Sequence, residues 1–178
     1  MSLFVSLLSI YFCFPADAVK DTFVPLSEIE EEAAIIAIAK TQKKPFSFER
    51  VEIGDNKLPY QKPMIAVEIL EILKNSVERP VKPKEVLTIA PRFWQYEYAE
   101  KYHRAHYESD FPLRKLKYKG LAKEKLDKQP FIVFLFPRLS PLSFTPEAEN
   151  QWYYLDGGFE PVERKSDILK QIKHRTKE

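Results

Sequence analysis

The chain has 178 residues, of which 44% are hydrophobic and 13% aromatic, with 14 Pro but 4 Gly. This composition supports one folded core and excludes an intrinsically disordered chain. The formal net charge of +2 is too small to imply a polyanionic partner by itself, so a charged site has to come from local patterning.

The first 18 residues predict a cleaved signal peptide. Ser2–Phe14 is uncharged and mostly apolar, and Ala16 and Ala18 are the small residues that signal peptidase needs before a cleavage site. The apolar run is also short for a membrane span. We therefore expect a secreted or periplasmic protein whose mature chain begins at Val19. Since no Lys or Arg precedes the apolar run, a buried N-terminal strand or helix is the alternative.

Cys13 is the single cysteine of the sequence. Lipidation there would make the protein a lipoprotein, but Phe12 stands where lipoprotein cleavage favours a small residue. Cleavage after Ala18 leaves a mature chain without cysteine. That outcome excludes disulfides, zinc–thiolate sites and cysteine nucleophiles.

A short acidic helix is predicted next. Ser27 and Glu30 have the spacing of a capping box at the start of Leu26–Ala33. The following run, Ala34–Thr41, is apolar and partly β-branched, so it either extends the helix or begins a strand. We expect Lys43-Lys44-Pro45 to end it.

Residues 46–53 alternate apolar and polar side chains, which predicts a strand. A turn is expected at Gly54-Asp55-Asn56, and a loop between Pro59 and Pro63.

The centre of the chain predicts two strands joined by a charged turn. Ile65–Leu73 is rich in β-branched residues, and Glu85–Ile89 is a shorter apolar run. Pro80 and Pro83 lie between them and forbid a continuous helix. Glutamates recurring every three to four residues also fit an amphipathic helix over Ile65–Leu73, so periodicity alone leaves both alternatives open.

A long polar and aromatic insertion, about residues 92–129, comes next. Pro130–Phe136 is the most apolar run of the mature chain and predicts a buried strand. Gln151–Leu155 predicts an aromatic strand that ends at the turn 156–158, and Val162 is a candidate to close a barrel. A C-terminal helix is predicted over about residues 166–175, with Ser166 as its cap.

Five segments in this order resemble a group of small secreted bacterial proteins with an OB-like barrel. That group is similar in outline to netrin-type modules and tissue inhibitors of metalloproteinases. The matching segments are SEIEEEAAIIAIAK from Ser27, VEILEILKN from Val67, VKPKEVLTI from Val81, FIVFLF from Phe131 and YYLDGGFEPVE from Tyr153.

The resemblance implies a mainly β (α+β) fold: a five-stranded OB-like β-barrel with a short N-terminal helix, a long insertion and a C-terminal helix, forming a single domain over 19–178. It favours strands for Ala34–Thr41 and Ile65–Leu73. Asn75 replaces a usual Gly, and Lys84-Glu85 replaces Gly-Asp. The protease inhibitors use an N-terminal cysteine to chelate the protease metal, so their mechanism does not transfer to a cysteine-free mature chain. Inhibition of a secreted protease is therefore an alternative by fold analogy alone.

Three groups of residues in the insertion are candidate sites. His103 and His106 would share one face of a helix and could bind zinc or copper, although a third ligand is missing from the motif. Residues 114–125 carry a basic run in which Tyr118 is embedded, and nearby aromatic side chains could form a stacking platform. The predicted ligand-binding residues are Arg114, Lys115, Lys117, Tyr118, Lys119, Trp94 and Tyr96.

Each group also has a structural explanation. Charge runs are usually solvated loops, two histidines can lie on an exposed insertion, and the aromatic set can cover a barrel end. The sequence contains no glycine-rich phosphate loop and no G-x-S-x-G motif, so we predict a non-enzymatic module without a cofactor. Because secretion disfavours nucleic acid as a partner, we expect an anionic glycan, a lipid or a protein. Metal binding by His103 and His106 is the alternative function.

Overall fold

The computed structural model describes residues 22–53, 58–78, 80–92, 116–137 and 151–175. The fold is mainly β, as predicted, with an N-terminal and a C-terminal helix. The elements in chain order are β1 (Thr22–Phe23), α1 (Leu26–Glu32), β2 (Ile35–Ile53), β3 (Leu58–Asn75), β4 (Val86–Pro91), β5 (Leu116–Lys117), β6 (Phe131–Leu135), β7 (Trp152–Tyr154), β8 (Phe159–Pro161) and α2 (Lys165–Arg175). Single 3-10 turns lie at Lys123–Lys125 and Val162–Arg164.

Six strands form one mixed sheet in the order β7-β4-β3-β2-β6-β8. The β4–β7 pair is parallel and the other pairs are antiparallel. Among the described residues the strand ladders do not close on themselves, so this part of the sheet is open, and it has one strand more than the predicted five. An isolated bridge between Phe136 and Tyr153 connects the end of β6 to β7. The short strands β1 and β5 form a separate parallel pair.

Hydrophobic residues are buried on both faces of β2 and β6. Ile36 and Ile38 belong to a cluster that α1 and α2 cover, with Ile29 and Ile168 as the helical contributions. Ile35, Ala37 and Ala39 belong to a second cluster on the other face, which also contains Leu126 and Phe159. A strand with both faces buried reads as a continuous apolar run, which is why AIIAIA is ambiguous in the sequence.

The strand prediction for Ile65–Leu73 is confirmed, and the helical alternative is wrong. Ile65, Val67 and Ile69 are buried, whereas the residues between them are more exposed. That alternation has the period of a strand and not of a helix. The strands predicted at residues 85–89, 130–136 and 151–155 are also present, each within one to two residues of its expected ends.

Two local expectations about strand ends and loops are wrong. β2 does not end at Lys43-Lys44-Pro45 but continues to Ile53, and its register with β3 shifts between Thr41 and Phe46. Proline has no N–H to donate, so pairing is interrupted there and resumes at Phe46. Pro59 and Pro63 do not bracket a loop. They lie in β3, which along residues 58–64 pairs with β2 alone among the described strands, and such an edge tolerates proline.

The helix ends also differ from prediction. α1 begins at Leu26, its N-cap is Pro25, and no side chain caps it, so the capping box of Ser27 and Glu30 does not form. Val162 lies in a 3-10 turn and not in a strand, and α2 begins at Lys165, one residue before the expected cap Ser166. The predicted turn at 156–158 is present, with Gly157 at φ 74°. The predicted turn at 54–56 and the signal peptide lie outside the described residues.

Candidate functional site

The register break in β2 places two cations beside two exposed aromatic rings. Between the pairs Thr41–Val67 and Phe46–Ile65, the four residues 42–45 of β2 lie opposite a single residue of β3, which makes a bulge in β2. Lys43 and Lys44 lie in this bulge and are exposed. Phe46 is 54% exposed and Phe48 is 68% exposed. Because side chains alternate along a strand, these two phenylalanines lie on the same face of β2.

The C-terminal part of the insertion lies against the same region of β2. The Thr41 hydroxyl donates a hydrogen bond of 3.2 Å to the Leu126 carbonyl oxygen, and the Leu126 side chain is buried in the core. Phe46 lines a shallow pocket of about 290 Å³ with Lys123, Glu124 and Asp127. The segment 123–128 and the bulge therefore form one continuous surface.

This surface carries more positive than negative charge. Its exposed cations are Lys43, Lys44, Lys123, Lys125 and Lys128, and the acidic residues of the segment are Glu124 and Asp127. Lys40, which comes just before the bulge, forms an ion pair of 3.2 Å with Glu68. We call the surface formed by Lys43, Lys44, Phe46, Phe48 and the lysines of residues 123–128 the basic–aromatic face.

Backbone hydrogen bonds attach residues 118–121, which precede the segment 123–128, to β8 and the turn before it. The Tyr118 N–H donates to the Asp156 carbonyl over 2.8 Å, and the Leu121 N–H donates to the Phe159 carbonyl over 2.6 Å. A Cβ atom added at Gly157 would lie 2.0 Å from the Tyr118 carbonyl oxygen. The left-handed conformation and this close approach both require glycine at position 157.

A buried carboxylate fixes the side chain of Tyr118. The Tyr118 hydroxyl donates to Glu160, whose side chain is 4% exposed, and Arg164 donates to the same carboxylate oxygen over 3.0 Å. Burial and then the hydrogen bond to Glu160 raise the pKa of the Tyr118 hydroxyl well above its usual range. Burial opposes the charged form of Arg164, but the negative charge of Glu160, together with the contributions of Tyr118 and Asp167, raises the pKa of the guanidinium. This arrangement anchors the insertion to the sheet.

The structure describes three of the predicted ligand-binding residues, which follow one another in the sequence. Lys117 and Tyr118 are half-buried and Lys119 is exposed, with its Nζ atom 4.8 Å from the centre of the Phe23 ring. The Tyr118 hydroxyl is held by its hydrogen bond to Glu160. Arg114, Lys115, Trp94, Tyr96, His103 and His106 lie outside the described residues.

Sequence reasoning missed the β2 side of the basic–aromatic face. Phe46 and Phe48 are apolar positions of a predicted alternating strand, and the apolar side of such a strand ordinarily faces a core. The available signal was the pair Lys43-Lys44 directly before Pro45, since a proline after two lysines in a strand favours a bulge with exposed cations.

A second concave surface lies between the β3–β4 turn and β7. It is a cleft of about 380 Å³ lined by the β3–β4 turn, Pro137, Gln151 and Trp152. Glu85 is the one carboxylate among the lining residues, and it accepts a hydrogen bond of 3.0 Å from the Lys82 N–H. This cleft holds no concentration of positive charge.

Within the described ranges no group of three or more His, Cys, Asp or Glu side chains has the proximity of a metal site. No helix of this part of the chain is both long and apolar enough to cross a membrane. No protein-family model matches the chain, and no curated protein sequence matches it.

Proposed function

We propose that the chain is a secreted or envelope-associated, non-enzymatic binding module that holds an anionic partner on its basic–aromatic face. The observation that carries this proposal is the position of Lys43 and Lys44. They protrude in a bulge beside the exposed Phe46 and Phe48, and no ion pair among the described residues includes either lysine. Cations left without a neutralising partner create a positive local potential that attracts anions.

We further propose that the open sheet belongs to an OB-like barrel. The isolated bridge supports this view because Phe136 and Tyr153 exchange two backbone hydrogen bonds of 2.9 and 3.0 Å. These bonds connect β6 to β7, and β7 pairs with β4 at the far end of the ladder. OB barrels bind oligonucleotides and oligosaccharides on one face, which agrees with a ligand site on the basic–aromatic face.

The test is salt-dependent retention of the purified protein on a heparin resin. We expect the double variant Lys43→Glu/Lys44→Glu to elute at clearly lower salt than the wild type, because each reversal replaces attraction by repulsion at the proposed contact. The matched control is Lys170→Glu/Lys173→Glu, which makes the same change in net charge at two exposed positions of α2. Equal elution of the two variants, or retention that does not depend on salt, would contradict the proposal.

A second variant distinguishes the two basic segments. This variant reverses the charges of Arg114, Lys115, Lys117 and Lys119, which the sequence pattern predicts as ligand-binding residues. One outcome is that this variant elutes earlier while Lys43→Glu/Lys44→Glu elutes as the wild type does. In that case the anionic partner binds the basic residues at positions 114–119 and not the basic–aromatic face.

A further inference from the structure

The arm of the β2–β3 hairpin extends past the strands that flank the rest of the hairpin, while Val51, Tyr60 and Met64 on one of its faces pack against the core. We define the arm as residues 46–53 of β2 and 58–64 of β3. β6 pairs with β2 over Ile35–Ala39, and β4 pairs with β3 over Ile65–Glu68. Among the described strands, the two strands of the arm therefore pair with each other alone. A two-stranded ribbon of this kind can bring one of its faces onto a flat surface.

The exposed face of the arm is aromatic where it leaves the sheet. Phe46 and Phe48 are 54% and 68% exposed, and Pro63 is the cross-strand partner of Phe48. Single exposed hydrophobic residues are ordinary on a protein surface. Two exposed phenylalanines at alternate positions of one projecting strand form a patch that marks an interaction site.

Positive charge borders this aromatic patch along the strand. Exposed Lys43 and Lys44 precede the phenylalanines, and exposed Arg50 follows them on the same face. Lys123 lies beside Phe46 in the shallow pocket, which Glu124 and Asp127 also line, and exposed Glu52 comes after Arg50 on the same face. The positive charge is therefore concentrated at the Lys43-Lys44 end of the patch. The partner must therefore offer negative charge at its surface and an apolar layer within reach of two phenyl rings.

A lipid bilayer with anionic headgroups offers both layers in that order. Its headgroups attract Lys and Arg close to the surface, and the region beneath them takes up aromatic side chains. An anionic glycan supplies charge and can stack on one ring face, but it has no apolar layer into which two rings can insert. Resting on the function proposed above, we propose that the anionic partner is such a bilayer and that Phe46 and Phe48 insert between its headgroups.

The experiment measures co-sedimentation with phosphatidylcholine vesicles that contain or lack phosphatidylglycerol. We expect binding to the anionic vesicles, and a loss of affinity on the order of 10-fold in Phe46→Ser/Phe48→Ser, because two partly inserted rings are removed. The matched control is Leu70→Ser/Val86→Ser, which removes two exposed hydrophobic residues from the sheet itself. This control should bind as the wild type does, and circular dichroism should show that both variants fold.

A single conservative variant provides an independent readout. Phe48→Trp keeps an aromatic ring at the most exposed position and should bind the vesicles as the wild type does. Its fluorescence should shift to shorter wavelength on anionic vesicles and be quenched by brominated lipid. The same signal on neutral vesicles should be weaker, because the flanking cations are then not attracted to anionic headgroups.

The outcomes separate this inference from the function on which it rests. Vesicle binding that is unchanged in Phe46→Ser/Phe48→Ser, or a Phe48→Trp signal that lipid leaves unaltered, overturns the inference. Retention on heparin without any vesicle binding also overturns it but preserves the anionic binding function. Binding to an acidic envelope protein without vesicle binding overturns it in favour of a protein partner. Loss of both heparin and vesicle binding overturns both proposals.

Discussion

The two halves of β2 and β3 share their strands but differ in their surroundings. In the first half, Ile35–Ala39 is buried on both faces between β3 and β6. In the second half, the same strand exposes Phe46 and Phe48 and pairs with β3 alone among the described strands. The register break at residues 42–45 separates the two halves.

The difference indicates a division of roles within one hairpin. Buried apolar area is the main source of folding stability, so the first half stabilises the fold. The exposed rings and cations of the second half contribute little to that stability and are available to a partner. Three substitutions test this division.

The largest effect is expected from Ile36→Ala in the buried half. Ile36 is fully buried, and truncation leaves a cavity in a cluster that includes α1 and α2. We expect the free energy of unfolding to fall by about 2–5 kcal/mol. Chemical denaturation monitored by circular dichroism measures this loss. A change below about 1 kcal/mol would mean that the first half does not carry the core.

An intermediate effect is expected from Tyr118→Phe, which affects the segment beside the register break. The substitution removes a hydrogen bond to the buried Glu160, while Arg164 remains as a partner. We expect a loss of about 1–2 kcal/mol in the free energy of unfolding. If the loss is nil, the contact with Glu160 does not anchor the insertion.

The same variant has a predicted pH dependence. The pKa of Tyr118 is raised in the folded protein, so its stabilising contribution is fully present below the unfolded pKa of about 10 and declines as pH rises above it. The stability difference between wild type and Tyr118→Phe should therefore shrink between about pH 9 and about pH 11. Denaturation midpoints of both proteins across this range measure it. A constant difference would show that burial does not perturb the hydroxyl.

The smallest effect is expected from Phe48→Ser in the arm. Phe48 is 68% exposed, so the free energy of unfolding should change by no more than about 0.5 kcal/mol. Thermal unfolding beside Ile36→Ala, in the same strand, gives the direct comparison. A loss comparable to that of Ile36→Ala would mean that Phe48 is a core residue and would remove the division of roles.

Much of the sheet could be predicted from the sequence because burial leaves a local pattern. Phe131–Phe136 is a short apolar run between two prolines, and Ile65–Leu73 has β-branched residues at positions 65, 67 and 69, although its glutamates also fit a helix. The order of strands in the sheet could not be predicted this way. The parallel pairing of Ile89 with Trp152 joins distant segments, and no local pattern encodes a partner so far along the chain.

The candidate site was less predictable than the sheet. Sequence patterning identified the basic run that includes Lys119 and Lys123, but not its neighbour on β2. The expectation that Lys43-Lys44-Pro45 ends a strand follows from local propensity. Tertiary pairing overrides that propensity, because the residues after Pro45 regain a partner in β3. Whether Phe46 faces the core or the solvent depends on what covers the strand, which the strand's own sequence does not record.

The length of the β2–β3 hairpin has a consequence for the folding pathway. Its strands are neighbours in the sequence, so their pairing closes a short loop and costs little chain entropy. The β4–β7 and β1–β5 pairs unite segments from distant parts of the chain and must close much longer loops. In pulsed hydrogen exchange during refolding, we expect the backbone amides of the hairpin to be protected early and those of the segment 116–128 to be protected late. A nascent chain would then present Phe46 and Phe48 to its surroundings before the segment 123–128 docks beside them.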